Sequence, residues 1–532
     1  MKQWLIIVPY GLFVILVVAG MMSYDVWVDE AETGMYGRSI VERGVPFGWD
    51  GVNLFGHHGS KLLNGELINV GTPWLQFYLA ALSFKIFGES AWSLRLPFAA
   101  IGMLVPWLTY RLSMELGGKE TVAVLSMWLV SLSVPLILFM YQARYYSLSV
   151  ALGLWFLIGL VKLMRGQQVW PMVAVIAIGY IYTNWLSFVL VYIAGLIAGS
   201  VSGPAKKWRR QYLLIGIAAV LAFVPWLVYA RTGNQQFYIA QWADVLGHWW
   251  YWFWQRIGAY RQFGVLPVGL IAIAIWQRRR WSRKDWAGTA FLLSFVFMSL
   301  VVASFLGAMV YSEFINPANQ RYLLVLMPVL FIVTAMVVER IWRFRILAVL
   351  VMGVMLFTNG LGLVWPTRFL LMDYVSEIMR GPVKPYRAIA EVLDKEGKEG
   401  QTVFVSLERG HEPLMFYLSK KFKFVNRAQL ADTNIFPRNR EVLPRYTYFF
   451  TDSPDWVVML SKRGHDGSFA TADYRSLFPR GLFPGVNLER DYEEMVLPIS
   501  FKDTFRPELE WHVFSPAEPD YKDQIFIYHK TI

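Results

Sequence analysis

Val26-Trp27-Val28-Asp29-Glu30-Ala31-Glu32 sets three acids just after an apolar run, residues 4–22. A run of that length crosses about 30 Å of hydrocarbon, so the acids stand where the chain leaves a bilayer. Carboxylates held at a membrane surface face whatever polar head group a lipid presents there, which makes them a candidate site; the plain alternative is the solvated start of a loop. Working outward from this stretch, apolar segments of roughly 17–25 residues recur to about residue 365 and then stop. With 532 residues, 56% hydrophobic, 17% aromatic and only 17% charged, and a mean hydropathy of +0.39, the chain is too apolar for a soluble globule and reads as a polytopic membrane protein. From Met372 the charge density becomes ordinary, so the expected division is a transmembrane domain, 1–371, and a soluble α/β domain, 372–532. Cysteine is absent, so thiols say nothing of the redox compartment.

Short basic loops stay cytoplasmic. The basic clusters are Lys162 and Arg165; Lys206, Lys207, Arg209 and Arg210; Arg278, Arg279, Arg280, Arg283 and Lys284; and Arg340, Arg343 and Arg345. Placing all of them inside, with Lys2, sends 4–22 outward, 94–112 inward, 122–140 outward and 146–163 inward. Residues 170–198 lie between two basic loops, so a single crossing breaks the parity; two short helices hinged at Thr183-Asn184 restore it. Further spans at 212–229, 262–276, 286–311, 322–338 and 346–365 bring the expectation to about eleven crossings. The N-terminus is then cytoplasmic and the C-terminal domain periplasmic or extracellular, in a multi-pass protein of the cell (inner) membrane. The first span, without a small-residue cleavage site, is expected to serve as an anchor. The net charge of +12 reflects this inside rule and implies no nucleic acid.

Two outer loops are long. The first, 23–93, carries the acids and an apolar stretch, 73–87, of about 15 residues, read as an in-plane helix because it is short for a span. The second, 231–261, contains Trp242, Trp249, Trp250, Trp252 and Trp254, an indole density that suits a membrane interface, with sugar stacking as the alternative. The outward ends also gather His57, His58, Lys61, Arg144, Arg256, Arg261 and Arg321. Each arginine alone is read as snorkelling to a lipid phosphate. Together with the acids they supply what transfer from a lipid phosphate needs: a base for the incoming hydroxyl and bidentate cations for the departing phosphate.

Asp29-Glu30-Ala31 after the first span resembles the loop-one acidic motif of the glycosyltransferase C superfamily, especially the branch of protein O-mannosyltransferases and lipid A aminoarabinose transferases. Gly71-Thr72-Pro73-Trp74-Leu75-Gln76-Phe77-Tyr78 and Ser93-Leu94-Arg95-Leu96-Pro97 resemble its in-plane helix and second span. Tyr141-Gln142-Ala143-Arg144-Tyr145-Tyr146 is similar to its turn between spans three and four, and Tyr182-Thr183-Asn184-Trp185 to its short-hairpin apex. Asn319-Gln320-Arg321-Tyr322 and Pro385-Tyr386-Arg387 resemble a late outward-facing arginine and the entry to the C-terminal domain. One departure stands at Thr72-Pro73-Trp74, where the family often has a basic residue before the proline; Lys61 or the His57-His58 pair is the expected substitute.

The resemblance implies a polyprenyl-phosphate sugar as donor, bound from the membrane among lipids, and inverting transfer on the outer face to a glycolipid, polysaccharide or protein. Asp29 is the expected general base, with Glu30 beside it in the catalytic set. Arg144, Arg321, Arg256, Arg261 and Lys61 are the expected phosphate ligands, and His57, His58, Tyr145 and Tyr322 the expected substrate contacts. The spacing Asp29, Glu30, Glu32 contains no Asp-x-Asp pair, so a divalent cation is allowed but not expected to be obligatory. In the C-terminal domain, helix patterns at 386–394 and 412–420 alternate with strand patterns at 402–405, 456–460 and 525–528. His411-Glu412 and Trp511-His512 there read as loop residues. The rival class is a lipid or sugar transporter or scramblase, which would carry its charges near mid-span and show inverted repeats; a receptor would leave the acids and arginines unexplained.

Overall fold

A computed structural model describes residues 3–55, 63–64, 66–202, 206–232, 247–251, 253–254, 269, 271–273, 276, 283–309, 323–342, 346, 371–405, 411–426, 453–460, 487–500 and 524–531. The first apolar run forms α1 (Trp4–Ser23), and the acids open α2 (Val28–Arg43) after an extended Tyr24–Trp27. The stretch read as an in-plane helix is α3 (Leu75–Phe87), thirteen residues long. Next come α4 (Ala91–Gly102) and α5 (Val105–Glu115). The start of α4 is set locally: the Ser90 hydroxyl accepts from Ser93 N at 3.2 Å while the Ser93 hydroxyl accepts from Ser90 N at 3.0 Å, each satisfying a donor that the first helical turn leaves unpaired.

The third span is broken. α6 (Glu120–Ser131) and α7 (Val134–Met140) meet at 68°, with Pro135 in the first turn of α7, where its missing N–H costs nothing. After α8 (Tyr145–Met164) come α9 (Trp170–Thr183) and α10 (Trp185–Ser202). The expected hinge is found between them. Asn184 is extended and its side-chain oxygen accepts Ser187 N at 3.0 Å, ending one helix and capping the next. The chain returns to the end it left, because Gln211 on α11 (Lys206–Thr232) donates to Gln168, just before α9, at 3.2 Å. α12 (Arg283–Met309) and α13 (Leu326–Ile341) complete the bundle.

Among the described residues six helices are long and apolar enough to cross a membrane, seven if the bent pair counts as one span. That is fewer than the eleven crossings expected. α9 and α13, at fourteen and sixteen residues, are shorter than a full span, and the expected span at 346–365 beyond its first residue and ten of the fifteen residues at 262–276 lie outside the described residues. Of the aromatic run, Trp249 stacks on Phe305 of α12 at 5.2 Å, while Trp250, Tyr251 and Trp254 are exposed.

α14 (Leu371–Arg380), α15 (Pro385–Glu396) and α16 (His411–Leu418) accompany a five-stranded mixed sheet of β1 (Thr402–Val405), β2 (Lys423–Asn426), β3 (Trp456–Leu460), β4 (Tyr492–Ser500) and β5 (Gln524–Lys530). The strand order is β2-β1-β3-β5-β4. β1 is parallel to β2 and β3, and β5 is antiparallel to β3 and β4. The three strands and two helices read from the pattern are present; α14, β2 and β4 were not anticipated.

This unit does not stand apart from loop one. Met35, Tyr36 and Ile40 of α2 and Phe77 of α3 share one apolar core with Val403, Leu414, Met415, Trp456 and Ile525. Gly34 permits the approach, since a Cβ there would lie 2.6 Å from the Phe416 ring; Gly37 likewise lets α3 close on α2, where a Cβ would lie 2.9 Å from the Ala80 methyl. α14 joins the larger core instead, where the Tyr374 hydroxyl donates to Leu16 O at 2.8 Å. The acid-bearing helix is thus held between the bundle and the sheet unit.

Candidate functional site

Asp29 and Glu30 occupy the first turn of α2, where unpaired backbone N–H groups and the helix dipole favour negative charge. Helix geometry separates their fates, since neighbours along a helix point about 100° apart. Glu30 turns into the bundle. Arg95 of α4 donates to it through Nε at 2.8 Å and through Nη2 at 2.6 Å, and Ala143 N donates at 2.9 Å. The remaining guanidinium hydrogens reach the carbonyls of Met21 at 3.0 Å, Tyr24 at 2.7 Å and Asp25 at 2.5 Å. This two-pronged, fully enclosed pair ties the end of α1, the start of α2, the head of α4 and the turn before α8 to one another. A buried pair of this kind adds little net stability, yet removing one partner costs about 3–5 kcal/mol because it strands the other charge.

Asp29 turns the other way, toward Arg144. Arg144 Nε lies 3.8 Å from Asp29 Oδ2, and Nη1 lies 3.5 Å from both Glu32 Oε2 and the Thr33 hydroxyl. All three charged side chains are buried. Burial works against the Arg144 charge, but the carboxylates of Asp29 and then Glu32 outweigh it and hold the guanidinium more firmly protonated than usual. The charges sit within ion-pair range at distances longer than good hydrogen bonds, and Arg144 Nε makes no hydrogen bond. Tyr145 and Tyr146 pack beside the arginine, their rings 4.7 Å apart.

Around these groups lies further buried polarity. The Tyr36 hydroxyl is fully buried with the Asn69 amide as its hydrogen-bonding neighbour, while Trp27 Nε1 and Gln142 Oε1, also buried, make no hydrogen bond. Burial, reinforced by the charge of Glu32, pushes the Tyr36 hydroxyl well above its usual pKa.

The structure thus brings Asp29, Glu30, Arg144 and Tyr145 into one neighbourhood. His57, His58, Lys61, Arg256, Arg261, Arg321 and Tyr322 lie outside the described residues. Among the described residues no group of three or more His, Asp and Glu converges as metal ligands.

Five participants escaped the sequence reading. Arg95 was quoted only as part of a span start. A lone arginine at the mouth of an apolar segment reads as snorkelling, and its partner is 65 positions away. Asp25 accepts Tyr386 N at 3.0 Å and Arg387 N at 3.2 Å in the first turn of α15, and the Tyr417 hydroxyl at 3.1 Å. It fastens the acidic motif to the sheet unit. Tyr24, next to it, donates to Glu377 of α14. His411 and Glu412, read as loop residues, open α16 and are buried, because α16 becomes a core helix only once it stacks on α2.

Residues 72–229 match the family model described as dolichyl-phosphate-mannose-protein mannosyltransferase. The fold is shared with ArnT from Cupriavidus metallidurans, solved with undecaprenyl phosphate bound: 15% identity, 86% of this chain and 94% of that one, TM-score 0.54. Its apo form gives 15% identity, 86% of this chain and 92% of that one, and 0.55. An uncharacterized protein of Aquifex aeolicus (strain VF5) is 31% identical over 105 residues, 18% of this chain. That match spans a fifth of the relative's own length, 20%.

Proposed function

We propose that this protein is a membrane glycosyltransferase of the glycosyltransferase C type, which moves a sugar from a polyprenyl-phosphate donor to a hydroxyl-bearing acceptor. The observation that carries the reading is the Asp29–Arg144 pair, buried at the end of the first span on a fold shared with a protein solved holding undecaprenyl phosphate. Asp29 takes the acceptor's proton as its oxygen attacks the anomeric carbon. The bond from that carbon to the phosphate oxygen breaks on the opposite face, and the electron pair leaves with the lipid phosphate, inverting the centre. A general base of this kind contributes roughly 10²–10⁴-fold. Arg144 stabilises the charge growing on the phosphate, a large contribution in a site that excludes water. Arg321, Arg256, Arg261 and Lys61 are assigned to the same phosphate, and His57, His58, Tyr145 and Tyr322 to the sugar.

Glu30 has a different assignment. Its carboxylate is already taken by Arg95, Ala143 N and Trp27 N, so it positions Asp29 and leaves the chemistry to its neighbour. No divalent cation is written into the reaction. The site faces the outer side of the cell membrane.

The test is a transfer assay on the full-length protein in membranes with a panel of undecaprenyl-phosphate sugars. The expected result is label moving from one donor to an endogenous envelope acceptor, and Asp29→Asn losing roughly 10²-fold or more while still binding undecaprenyl phosphate. Near-normal turnover in Asp29→Asn overturns the assignment of the base. No transfer from any donor in the panel, with no affinity for undecaprenyl phosphate, overturns the function.

A further inference from the structure

At the end of the bundle away from the acids, two glycines make the turn between α5 and α6. Gly117 sits at φ +83°, Gly117 N donates to Met114 O at 3.1 Å, and Gly118 N donates to Ser113 O at 3.0 Å. α12 comes directly against this turn, since a Cβ at Gly288 would overlap Leu116 O. Between the turn, α12 and the second half of α13 a recess of about 30 Å³ remains. Its floor is apolar, formed by the buried Val122, Leu292 and Ile332, and its rim carries Lys119, Glu339 and Arg340.

Ser113 lines this recess with a hydroxyl that has nothing to bind. Within a helix such a hydroxyl can donate to the carbonyl four residues back, as Thr109 does one turn earlier to Val105 O at 2.8 Å. The Ser113 hydroxyl, in a side chain only 1% exposed, makes no hydrogen bond among the described residues. A Cβ at Gly118 would stand 3.0 Å from it, so the glycine keeps that side of the oxygen open. A space of about 30 Å³ takes roughly two groups the size of a water, which suits hydroxyls and is too small for a sugar ring.

The rim is cationic. Lys119 Nζ lies 2.5 Å from Glu339 Oε1, and Arg340 Nε lies 3.7 Å from Glu339 Oε2. One carboxylate thus holds two cations side by side and leaves one positive charge in excess, which a phosphodiester matches. Trp286, two residues before Gly288, and Trp342, two residues after Arg340, are 50% and 52% exposed and set the recess at the depth where indoles meet lipid head groups. The basic clusters of the sequence assign this end to the cytoplasmic leaflet, the one whose surface is anionic.

We propose that this recess binds an anionic phospholipid with a hydroxylated head group, of the phosphatidylglycerol kind. The phosphate rests on the rim at Lys119 and Arg340, where a guanidinium can meet two oxygens at once, and the terminal hydroxyls reach into the recess to Ser113, which can both donate and accept. The bound lipid ties α12 and α13 to the α5–α6 turn. The site is separate from Asp29 and Arg144 and does not depend on the transferase reading.

The experiment uses the full-length protein, stripped of lipid in a neutral detergent and titrated with phosphatidylglycerol, phosphatidic acid, phosphatidylcholine or free glycerol 3-phosphate. Melting temperature and native mass spectrometry of retained lipid are the readouts. Phosphatidylglycerol is expected to raise the melting temperature saturably, because a ligand of the folded state alone stabilises it by mass action; phosphatidic acid should bind more weakly, and the other two should have no effect. Arg340→Gln should weaken phosphatidylglycerol binding about tenfold or more. Ser113→Ala should weaken it about three- to tenfold, the loss of one hydrogen bond, and erase the preference over phosphatidic acid. Ser113→Ala deletes a hydroxyl that makes no hydrogen bond in the fold, so it decides the matter even where Arg340→Gln fails to accumulate. Equal effects of phosphatidylglycerol and phosphatidylcholine, or wild-type affinity in Ser113→Ala, overturn the proposal and leave the recess to water. An effect of glycerol 3-phosphate equal to that of the lipid makes the rim a site for soluble phosphates and overturns it as well.

Discussion

The two ends of the helical bundle handle charge in opposite ways. At the end where α5, α8 and α13 finish, ion pairs face water: Lys119 meets Glu339 at 2.5 Å with side-chain exposures of 63% and 20%, and Glu115 gathers Arg165 at 2.7 Å, Lys162 at 3.9 Å and Arg111 at 4.0 Å. At the other end, where α1 finishes and α4 and α8 begin, the pairs are enclosed. Glu30 and Arg95 are each 1% exposed, and Asp29, Glu32 and Arg144 crowd within 4 Å. Exposed pairs are worth about 0–1 kcal/mol and weaken in salt; buried ones must satisfy every hydrogen or cost several kcal/mol. The first end is laced for solubility and topology. The second bears a desolvation cost, and Asp29 and Arg144, the pair assigned to chemistry, stand there at 3.8 Å, longer than a good hydrogen bond.

The comparison breaks most sharply at Arg95. Arg95→Ala leaves the Glu30 carboxylate buried without a cation and releases three carbonyls, so a loss of about 3–5 kcal/mol is expected, read as a large fall in melting temperature in detergent or as failure to accumulate. Glu30→Gln, which keeps the shape and several hydrogen bonds, should fall less. If Arg95→Ala melts like the wild type, the enclosed pair is not holding the loop and the contrast between the ends is empty.

Arg144 sharpens the same contrast from the functional side. Arg144→Lys retains a charge opposite Asp29 and Glu32 but loses the planar fork. Stability should hold to within about 1 kcal/mol, while turnover drops roughly 10–10²-fold and undecaprenyl phosphate binds more weakly. Equal rates for the lysine and arginine forms would make the residue a simple counter-charge for the acids.

Much of this arrangement was legible in the chain. The first span, the break at Thr183-Asn184 and the gathering of the acids and Arg144 at one end of the bundle follow from hydropathy, charge parity and an asparagine that caps as well as it breaks. What was not legible depends on long-range contact. Nothing near Arg95 names Glu30, and Asp25 sits in an unremarkable Tyr-Asp-Val. His411-Glu412 lacks any motif, and its burial comes from Gly34 letting Phe416 approach. Short strands such as Lys423-Phe424-Val425-Asn426 carry too little pattern to be seen before their neighbours exist.

Asp25 tests how tightly the sheet unit is fastened to the buried end. Desolvation raises its pKa above the usual 3.8, partly opposed by the N–H donors of α15 and the Tyr417 hydroxyl. A raised carboxyl pKa means that the folded state binds the proton more strongly than the unfolded state, so this residue's contribution falls as pH rises from the unfolded value through the folded one. Asp25→Asn, permanently neutral and still able to accept from Tyr386 N, is expected to flatten that part of the profile with a change of about 1 kcal/mol or less. Asp25→Ala strands two N–H groups and should cost about 1–3 kcal/mol. The check is melting temperature against pH for the three proteins. A wild-type profile that gains stability as pH rises through this range, with the slope lost in Asn, would reverse the assignment.

The smallest effect belongs to the exposed end, and its smallness matters. Lys119→Ala removes one partner of the shortest pair there, but the lysine side chain is 63% exposed and water replaces the contact. Glu339, in turn, still has Arg340 at 3.7 Å. The expected cost is at most about 1 kcal/mol, shrinking further in 0.5 M salt as the Debye length contracts to roughly 4–5 Å. Salt should leave the Arg95→Ala defect nearly untouched, because ions do not enter that enclosure. Thermal melting of both variants at low and high salt therefore compares the two ends in one experiment. A Lys119→Ala loss that rivals Arg95→Ala and persists in salt would mean that the exposed end is also a stressed, enclosed structure in the membrane, and the division of labour between the ends would have to be abandoned.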